Sequence, residues 1–361
     1  MNEVLTALGW DSDWAATFEG LAPPGARPAR VTEQHRDRWT LQSDLGTQLG
    51  RLVSSETAFM RPATGDWVGW SPGPHESDPC TIRCVLPRRS AVRRGSAGES
   101  QSEQVLAANV DRLWIVQALD RPPNLRSLER YLAVAWESGA SPEIVLSKSD
   151  LTEDLEASIE AVTAIAFGVP VWAVSVGDPA AIGTLQDSLT CGRTVALLGP
   201  SGAGKSTLIN HLAHSEVART GEVRAGDRKG RHTTTHRELF PIQNGALLLD
   251  TPGMRELRVL DLQEGLGRAF PEIEELAGDC RFRDCSHSSE PGCAVLLAAN
   301  EGRLDADRLA SYRKLEAEAA YERRRADPQA RAERVAEHKT ALRTMKYHHK
   351  YQSPNQGESD V

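Results

Sequence analysis

Gly199-Pro200-Ser201-Gly202-Ala203-Gly204-Lys205-Ser206-Thr207 is the stretch whose reading decides the fold. It satisfies G-x-x-x-x-G-K-[ST], a phosphate-binding P-loop. Before it runs Thr194-Val195-Ala196-Leu197-Leu198, an apolar run of strand length. After it, Leu208-Ile209-Asn210-His211-Leu212 reads as the opening of a helix. The motif needs this strand, loop and helix start. Its glycines let consecutive backbone N–H groups curl around a phosphate at a helix N-terminus, where the dipole also favours an anion. Lys205 can reach the β- and γ-phosphates, and Ser206 can ligate Mg²⁺.

Downstream, Ala246-Leu247-Leu248-Leu249-Asp250-Thr251-Pro252-Gly253 is an apolar strand ending in Asp-x-x-Gly. In the switch II reading, Asp250 holds Mg²⁺ through water and the Gly253 N–H touches a γ-phosphate. Between the two motifs stands Gly230-Arg231-His232-Thr233-Thr234-Thr235-His236. Thr234 and Thr235 are the switch I candidates for Mg²⁺. Met254 follows Gly253, where Ras-like enzymes carry the glutamine that orients water. A thioether cannot do that, and His232 is the nearest candidate catalytic group; a surface histidine is the competing reading.

Upstream, Ser141-Pro142-Glu143-Ile144-Val145-Leu146 reads as a strand, followed directly by Ser147-Lys148-Ser149-Asp150. GTPases carry Asn-Lys-x-Asp there. A carboxylate at Asp150 accepts two hydrogen bonds from guanine N1–H and its exocyclic amine, while adenine presents the opposite pattern. Lys148 can lay its stem over the base. Ser147 replaces the usual Asn and removes that residue's amide. One strand later, at Ala173-Val174-Ser175-Val176, Ser175 marks the place of a backbone contact to the guanine oxygen. The base motif thus precedes the P-loop and Asp-x-x-Gly comes last, a circular permutation. Switch II then leads straight into the C-terminal region, so a movement at Gly253 can pull on it.

Around these motifs, strand and helix patterns alternate. Asp111 to Ala118 and Val171 to Val174 read as further strands, and Leu125–Gly139 and Leu155–Phe167 as helices. The expected fold is a doubly wound α/β domain with a mostly parallel sheet. From Ala29 to Leu86, short runs punctuated by Gly and Pro predict a small β-barrel, of OB type or SH3-like. Trp10, Trp14 and Phe18 mark a short helical arm ahead of it. Pro87–Gln104 reads as a linker whose Arg88, Arg89, Arg93 and Arg94 either grip a phosphate backbone or are solvated.

Cys280-x4-Cys285-x-His287-x5-Cys293 gathers thiols and an imidazole, the donor set of one closed, structural Zn²⁺ site, with Pro291-Gly292 turning the chain back. Cys80 and Cys84 have no second pair nearby and are taken as ordinary cysteines. From Asp305 onward the pattern is helical and highly charged, ending at the basic, aromatic Lys346-Tyr347-His348-His349-Lys350, the part expected against RNA.

The chain has 361 residues and a net charge of −8. That length predicts more than one domain, and that charge excludes a uniformly basic nucleic-acid binder but not a basic patch. No apolar run reaches membrane-spanning length and no basic-then-apolar leader is present, so a cytoplasmic protein without a membrane partner is expected. Six cysteines in such a chain point to metal rather than to a disulfide scaffold.

Together these residues resemble the circularly permuted ribosome-small-subunit-dependent GTPase A (RsgA) family, over roughly residues 29–350. Besides the P-loop, Gly230–Thr235, Asp250–Gly253 and the Cys/His cluster, the carriers are Leu86-Pro87-Arg88-Arg89-Ser90, Ala107-Ala108-Asn109-Val110-Asp111 and Leu128-Glu129-Arg130-Tyr131-Leu132. The resemblance implies an OB-fold barrel, a permuted GTPase domain and a C-terminal helical zinc domain. It further implies hydrolysis of GTP to GDP and phosphate, stimulated by the small (30S) ribosomal subunit during late maturation, contact with rRNA, and His232 as the catalytic histidine. A monomer is expected. The boundaries on this reading are an arm at 1–28, barrel at 29–90, linker at 91–104, GTPase domain at 105–268, zinc domain at 269–350 and tail at 351–361. Two other classes fit parts of the pattern: a P-loop ATPase or kinase, and an RNA-binding module whose nucleotide only stabilises it.

Overall fold

The computed structural model describes residues 2–52, 60–75, 78–94, 104–214, 237–250 and 262–326. The chain opens with two short helices, α1 (Glu3–Ala7) and α2 (Ser12–Leu21). The side chains of Asn2 and Asp11 cap them, accepting from the N–H groups of Val4 and Trp14. Each cap satisfies a donor that the helix itself leaves unpaired.

Five strands follow: β1 (Arg27–Gln34), β2 (Trp39–Ser43), β3 (Gly46–Leu52), β4 (Trp67–Ser71) and β5 (Cys80–Val85). Hydrogen bonds run from β1 to β2 to β3, then to β5 in parallel, to β4, and back to β1. This closed order is the OB topology, so the SH3-like alternative falls. Ala29, Val31, Trp39, Leu41, Val68, Trp70 and Ile82 fill the barrel. Cys80 and Cys84 are buried and free, and burial pushes the Cys80 thiol up to about 11.

The stretch read as a linker is partly a strand. β6 (Ala91–Arg94) pairs antiparallel with β7 (Gln104–Ala108). The reading failed because only Ala91 and Val92 of β6 face inward, and Arg93 and Arg94 give it a loop's composition. Arg88 and Arg89 are both engaged by acids, Arg89 while still 43% exposed. Arg88 is buried against Asp66 at 2.7 Å, and Arg89 holds Asp11 at 2.6 Å while covering the Trp14 ring.

The α/β portion runs β8 (Arg112–Ala118), α3 (Leu125–Glu137), β9 (Ser141–Ser147), α4 (Leu155–Ile165), β10 (Val171–Val174), α5 (Pro179–Asp187), β11 (Thr194–Leu198), α6 (Lys205–Ala213), β12 (Glu238–Pro241) and β13 (Leu247–Asp250). Its strand order is β10-β9-β8-β11-β13-β12. All neighbours are parallel except β12, which runs antiparallel to β13. Strand residues alternate between two cores. Leu113, Ile115, Ala196 and Leu198 face α3 and α4, while Trp114, Val116, Val195 and Leu197 face α5 and α6. Helix α5 and strand β12 were not anticipated. Asp178 caps α5 and Pro179 occupies its first turn, a start signal legible in Asp178-Pro179.

Barrel and α/β sheet are continuous: β1 pairs with β12 at Glu33 and Glu238. Arg30 is the polar centre of the joint. It is 2% exposed and donates to the Gly65 and Asn109 carbonyls and to Thr194 Oγ1, the last at 2.8 Å. A fourth contact from its guanidinium goes to the Leu8 carbonyl of the arm. Trp10 meets Trp67 edge-on at 4.7 Å, so the arm packs as part of the same core.

The C-terminal helices are α7 (Gln263–Ala269), α8 (Pro271–Ala277), α9 (Ala294–Asn300) and α10 (Ala306–Ala326). Leu309, Tyr312, Leu315 and Ala319 form the buried stripe of α10. Helix α7 lies so close to α3 that a Cβ at Gly265 would sit 2.1 Å from the Ala133 carbonyl oxygen. Arg308 of α10 is buried between Glu129 of α3 and Glu272 of α8. Among the described residues, no helix is long and apolar enough to cross a membrane.

Candidate functional site

A doubly wound sheet binds its ligand beyond the carboxyl ends of its strands, where the strand order reverses. Here the chain passes outward through β8, β9 and β10, then returns to β11 beside β8. The reversal lies between β8 and β11, and the P-loop leaves the end of β11. The ends of β9, β10 and β13 carry Ser147–Asp150, Ser175 and Asp250 to the same edge. Topology therefore gathers motifs spread over a hundred positions of sequence.

The P-loop geometry explains its glycines. Gly199 has φ +146°, and a Cβ there would meet the Val116 carbonyl oxygen at 2.2 Å. Gly204, at φ +83°, is the N-cap of α6, leaving the helix's first N–H groups aimed into the loop. Lys205 Nζ donates to the Gly199 and Pro200 carbonyls at 2.8 and 2.7 Å. Its ammonium is thus held over the loop where a phosphate would sit. Ala203 is buried, and Ser206 and Thr207 occupy the first turn of α6.

Ser147 is buried, and its hydroxyl donates to the Ala203 carbonyl at 2.7 Å. The Leu119 N–H donates to the Ser147 carbonyl at 2.9 Å. Serine therefore ties the base motif to the phosphate loop although the amide of the usual Asn is missing. Lys148 sits at φ +55°, the left-handed region, and opens the one-turn 3-10 helix Ser149–Leu151. Its ammonium lies 2.8 Å from Asp120, whose carboxyl it holds below the usual range. Asp120 was missed in the sequence; its only signal is an acid just beyond the first strand of the α/β pattern. Asp150 is exposed in the 3-10 turn, open to a ligand. Ser175 is buried, with its hydroxyl oxygen accepting from the Gly177 N–H at 3.2 Å. The switch candidates His232, Thr234, Thr235 and Gly253 lie outside the described residues, as does the basic end at Lys346–Lys350.

The second constellation is Cys280, Cys285, His287 and Cys293, whose ligand atoms all lie within 4.8 Å of one another. Cys280 Sγ is 3.8 Å from Cys293 Sγ, and His287 Nδ1 is 3.6 and 3.5 Å from these two sulfurs. A tetrahedral Zn²⁺ about 2.3 Å from sulfur and about 2.0 Å from nitrogen requires edges of about 3.8 Å and about 3.5 Å. The four donors fit the ion in chemistry, and the three edges among Cys280, His287 and Cys293 fit it in size. Glu290 holds the intervening loop, accepting from the N–H groups of Ser286, Ser288 and Ser289. The Cys293 N–H bonds to the Glu290 carbonyl at 3.3 Å, and Gly292 has φ +78°. This is the turn expected from Pro291-Gly292, with proline at its second position and glycine at its third.

A P-loop at the switch point, a base motif two strands along the sheet and a reversed motif order define a circularly permuted P-loop GTPase. Sequence similarity carries the assignment further. Residues 85–260 match the family model described as RsgA GTPase. The chain is 46% identical to "Small ribosomal subunit biogenesis GTPase RsgA" of Opitutus terrae, over 91% of this chain and 94% of that one. It is 42% identical to the protein of the same name from Streptomyces coelicolor, over 94% and 93%. The chain belongs to the RsgA GTPase family. Its fold is also that of YjeQ from Thermotoga maritima, with TM-score 0.62 at 24% identity, covering 82% of this chain and 99% of that one. YloQ, titled a circularly permuted GTPase, gives TM-score 0.60 at 23% identity, covering 82% and 95%.

Proposed function

We propose that this chain hydrolyses GTP to GDP and phosphate, binds the small (30S) ribosomal subunit and its rRNA, and acts in late maturation of that subunit, as a cytoplasmic monomer. The observation that supports the reading is the bond from Ser147 to Ala203, which ties the strand end that leads to Asp150 to the phosphate loop. The names of the relatives, each called a small ribosomal subunit biogenesis GTPase, support the partner.

In this reading Asp150 accepts from guanine, Lys148 covers the base, and the backbone at Ser175 meets the guanine oxygen. Gly199 to Thr207 enclose the phosphates, with Lys205 moving from its own loop carbonyls onto the β- and γ-phosphates. Ser206, Asp250, Thr234 and Thr235 would hold Mg²⁺, which supplies charge neutralisation as the phosphoryl group departs. The Gly253 N–H would touch the γ-phosphate, and His232 would orient the attacking water in place of a glutamine. Zn²⁺ on Cys280, Cys285, His287 and Cys293 would staple the C-terminal helices. The domains follow the boundaries given above, with strand pairing extending into 91–104.

The test is GTP hydrolysis with and without purified small subunits, with ATP and large subunits as controls. Stimulation by small subunits alone, for GTP alone, and its loss in His232→Ala are the expected results. Equal rates in every condition would remove the ribosomal partner and the catalytic histidine from the reading.

A further inference from the structure

The cysteine–histidine cluster fixes a short loop that the nucleotide site does not use. Between Cys280 and Cys285 stand Arg281, Phe282, Arg283 and Asp284, all exposed. Phe282 shows 39% of its surface. A single exposed apolar side chain is ordinary. This one differs because its backbone has little freedom to fold the ring away. The loop ends are cluster residues, and the Arg281 N–H donates to the Gly292 carbonyl at 3.1 Å. Glu290 pins the returning strand of the same knuckle through the N–H groups of Ser286, Ser288 and Ser289.

The ring is flanked by cations. The Arg281 guanidinium carbon lies 5.4 Å from the Phe282 ring centre, above its face. Among the described residues, neither Arg281 nor Arg283 is within ion-pair distance of an acid, unlike Arg88, Arg89, Arg193 and Arg308. Asp279 and Asp284 border the tip in sequence, so its formal charge is balanced. Contact there must come from local geometry rather than long-range attraction, in a chain of net charge −8.

We propose that the Arg281-Phe282-Arg283 tip is a stacking point for an unpaired base of single-stranded RNA. The ring takes the base, and the two guanidiniums take the adjoining phosphates or extend the stack. The proposal rests on the RNA partner named above and deepens it. An aromatic face beside planar cations is the surface that unstacked bases use. An acidic protein segment would engage the arginines but leave the ring in water.

The experiment uses the full-length, zinc-loaded protein and a fluorescently labelled short single-stranded RNA, followed by anisotropy. Phe282→Leu keeps bulk and removes the π-face; Phe282→Tyr keeps the π-face. We expect Phe282→Leu and Phe282→Ala to weaken RNA binding about tenfold, and Phe282→Tyr to bind as the parent does. Zinc content, melting temperature and basal GTP hydrolysis should stay unchanged in all three. Arg281→Gln with Arg283→Gln should make the remaining binding less dependent on salt. Parent-like RNA binding by Phe282→Leu overturns the proposal. So does an oligoglutamate peptide that binds the parent and loses affinity with Phe282→Leu, because the tip is then a protein contact. Stimulation of the parent's GTP hydrolysis by small subunits is measured alongside. Its presence with unaltered RNA binding in Phe282→Leu removes only the stacking point, while its absence removes the ribosomal reading itself.

Discussion

The Ser147 hydroxyl and the Ala203 carbonyl, 56 positions apart in sequence, meet at 2.7 Å. Ser147 closes strand β9 and Ala203 lies inside the P-loop, so the bond ties the end of that strand to the loop. The same oxygen is 3.4 Å from the Gln117 carbonyl. A hydroxyl has one proton, and the shorter contact takes it. Ser147→Ala leaves the buried Ala203 carbonyl without this partner. The expected cost is about 1 kcal/mol, or roughly fivefold in GDP affinity. Ser147→Asn restores a donor and should recover most of that loss. Titration with a fluorescent GDP analogue, beside thermal melts, checks this. Equal affinity of the alanine variant and the parent would show that the bond does not position the site.

Asp150 is exposed in a 3-10 turn closed by the Leu151 N–H on the Lys148 carbonyl, so its substitution should change recognition without unfolding. Asp150→Asn replaces an acceptor pair by one acceptor and one donor. Losing a charged hydrogen bond of roughly 1.5–3 kcal/mol lowers GTP affinity roughly 10- to 100-fold. Xanthine carries a carbonyl where guanine carries its amine, and the new amide can donate to it. Xanthosine triphosphate should therefore bind the variant better than GTP does. Competition between the two nucleotides reads the outcome, and unchanged GTP preference would return the chain to the ATPase or kinase reading.

The legible parts of this molecule are those where backbone chemistry restricts the residue. The P-loop could be read because Gly199 and Gly204 stand where a side chain would collide or the backbone is left-handed. The cysteine–histidine cluster could be read because few chemistries use three thiols and an imidazole so close together. The parallel strands could be read because burial on both faces makes them continuously apolar, as in Thr194–Leu198. Strand β6 could not, since half of it faces outward as Arg93 and Arg94. Nor could the ion pairs. Arg88 and Arg89 look alike in sequence to arginines that grip phosphate, and only the fold brings Asp66 and Asp11 to them. The same holds for Asp120 against Lys148, and for Arg30, whose partners lie in the arm, the barrel and the strand that leads into the P-loop.

Arg308 and Glu129 join the C-terminal helices to the α/β core. The pair is 3.0 Å long with both side chains almost fully buried, and Glu272, Ser311 and the Ala269 carbonyl complete the network. Removing one partner strands a buried charge, so Glu129→Ala or Arg308→Ala should cost about 3–5 kcal/mol. Replacing both by apolar residues of similar size, as in Glu129→Leu with Arg308→Met, should cost much less. Denaturant melts of the single and double variants measure the difference. With α7 also pressed on α3 at Gly265 and Ala133, this portion follows α3 rather than swinging freely after switch II.

The cysteine–histidine cluster gives the last prediction. Cys293 is both a metal-set residue and the N-cap of α9, its sulfur accepting from the Leu296 N–H at 3.4 Å. Beside it, Val295 and Ala298 pack into the core that also holds Phe270, Leu309 and Tyr312. Helix α9 has 7 residues, too few to persist without such anchoring. Loss of the ion should therefore release α9 and loosen α8 and α10 while leaving the P-loop folded. Treatment with a chelator should lower the melting temperature, expose the thiols of Cys280, Cys285 and Cys293 to a thiol reagent, and leave GDP affinity within about twofold, since among the described residues no hydrogen bond or ion pair joins the cluster to the P-loop. Re-addition of Zn²⁺ should reverse the first two effects. Metal analysis showing one zinc per chain in the parent, and its loss in Cys285→Ser, completes the test. A chain free of metal that melts at the same temperature as the loaded one would mean that the helices hold themselves.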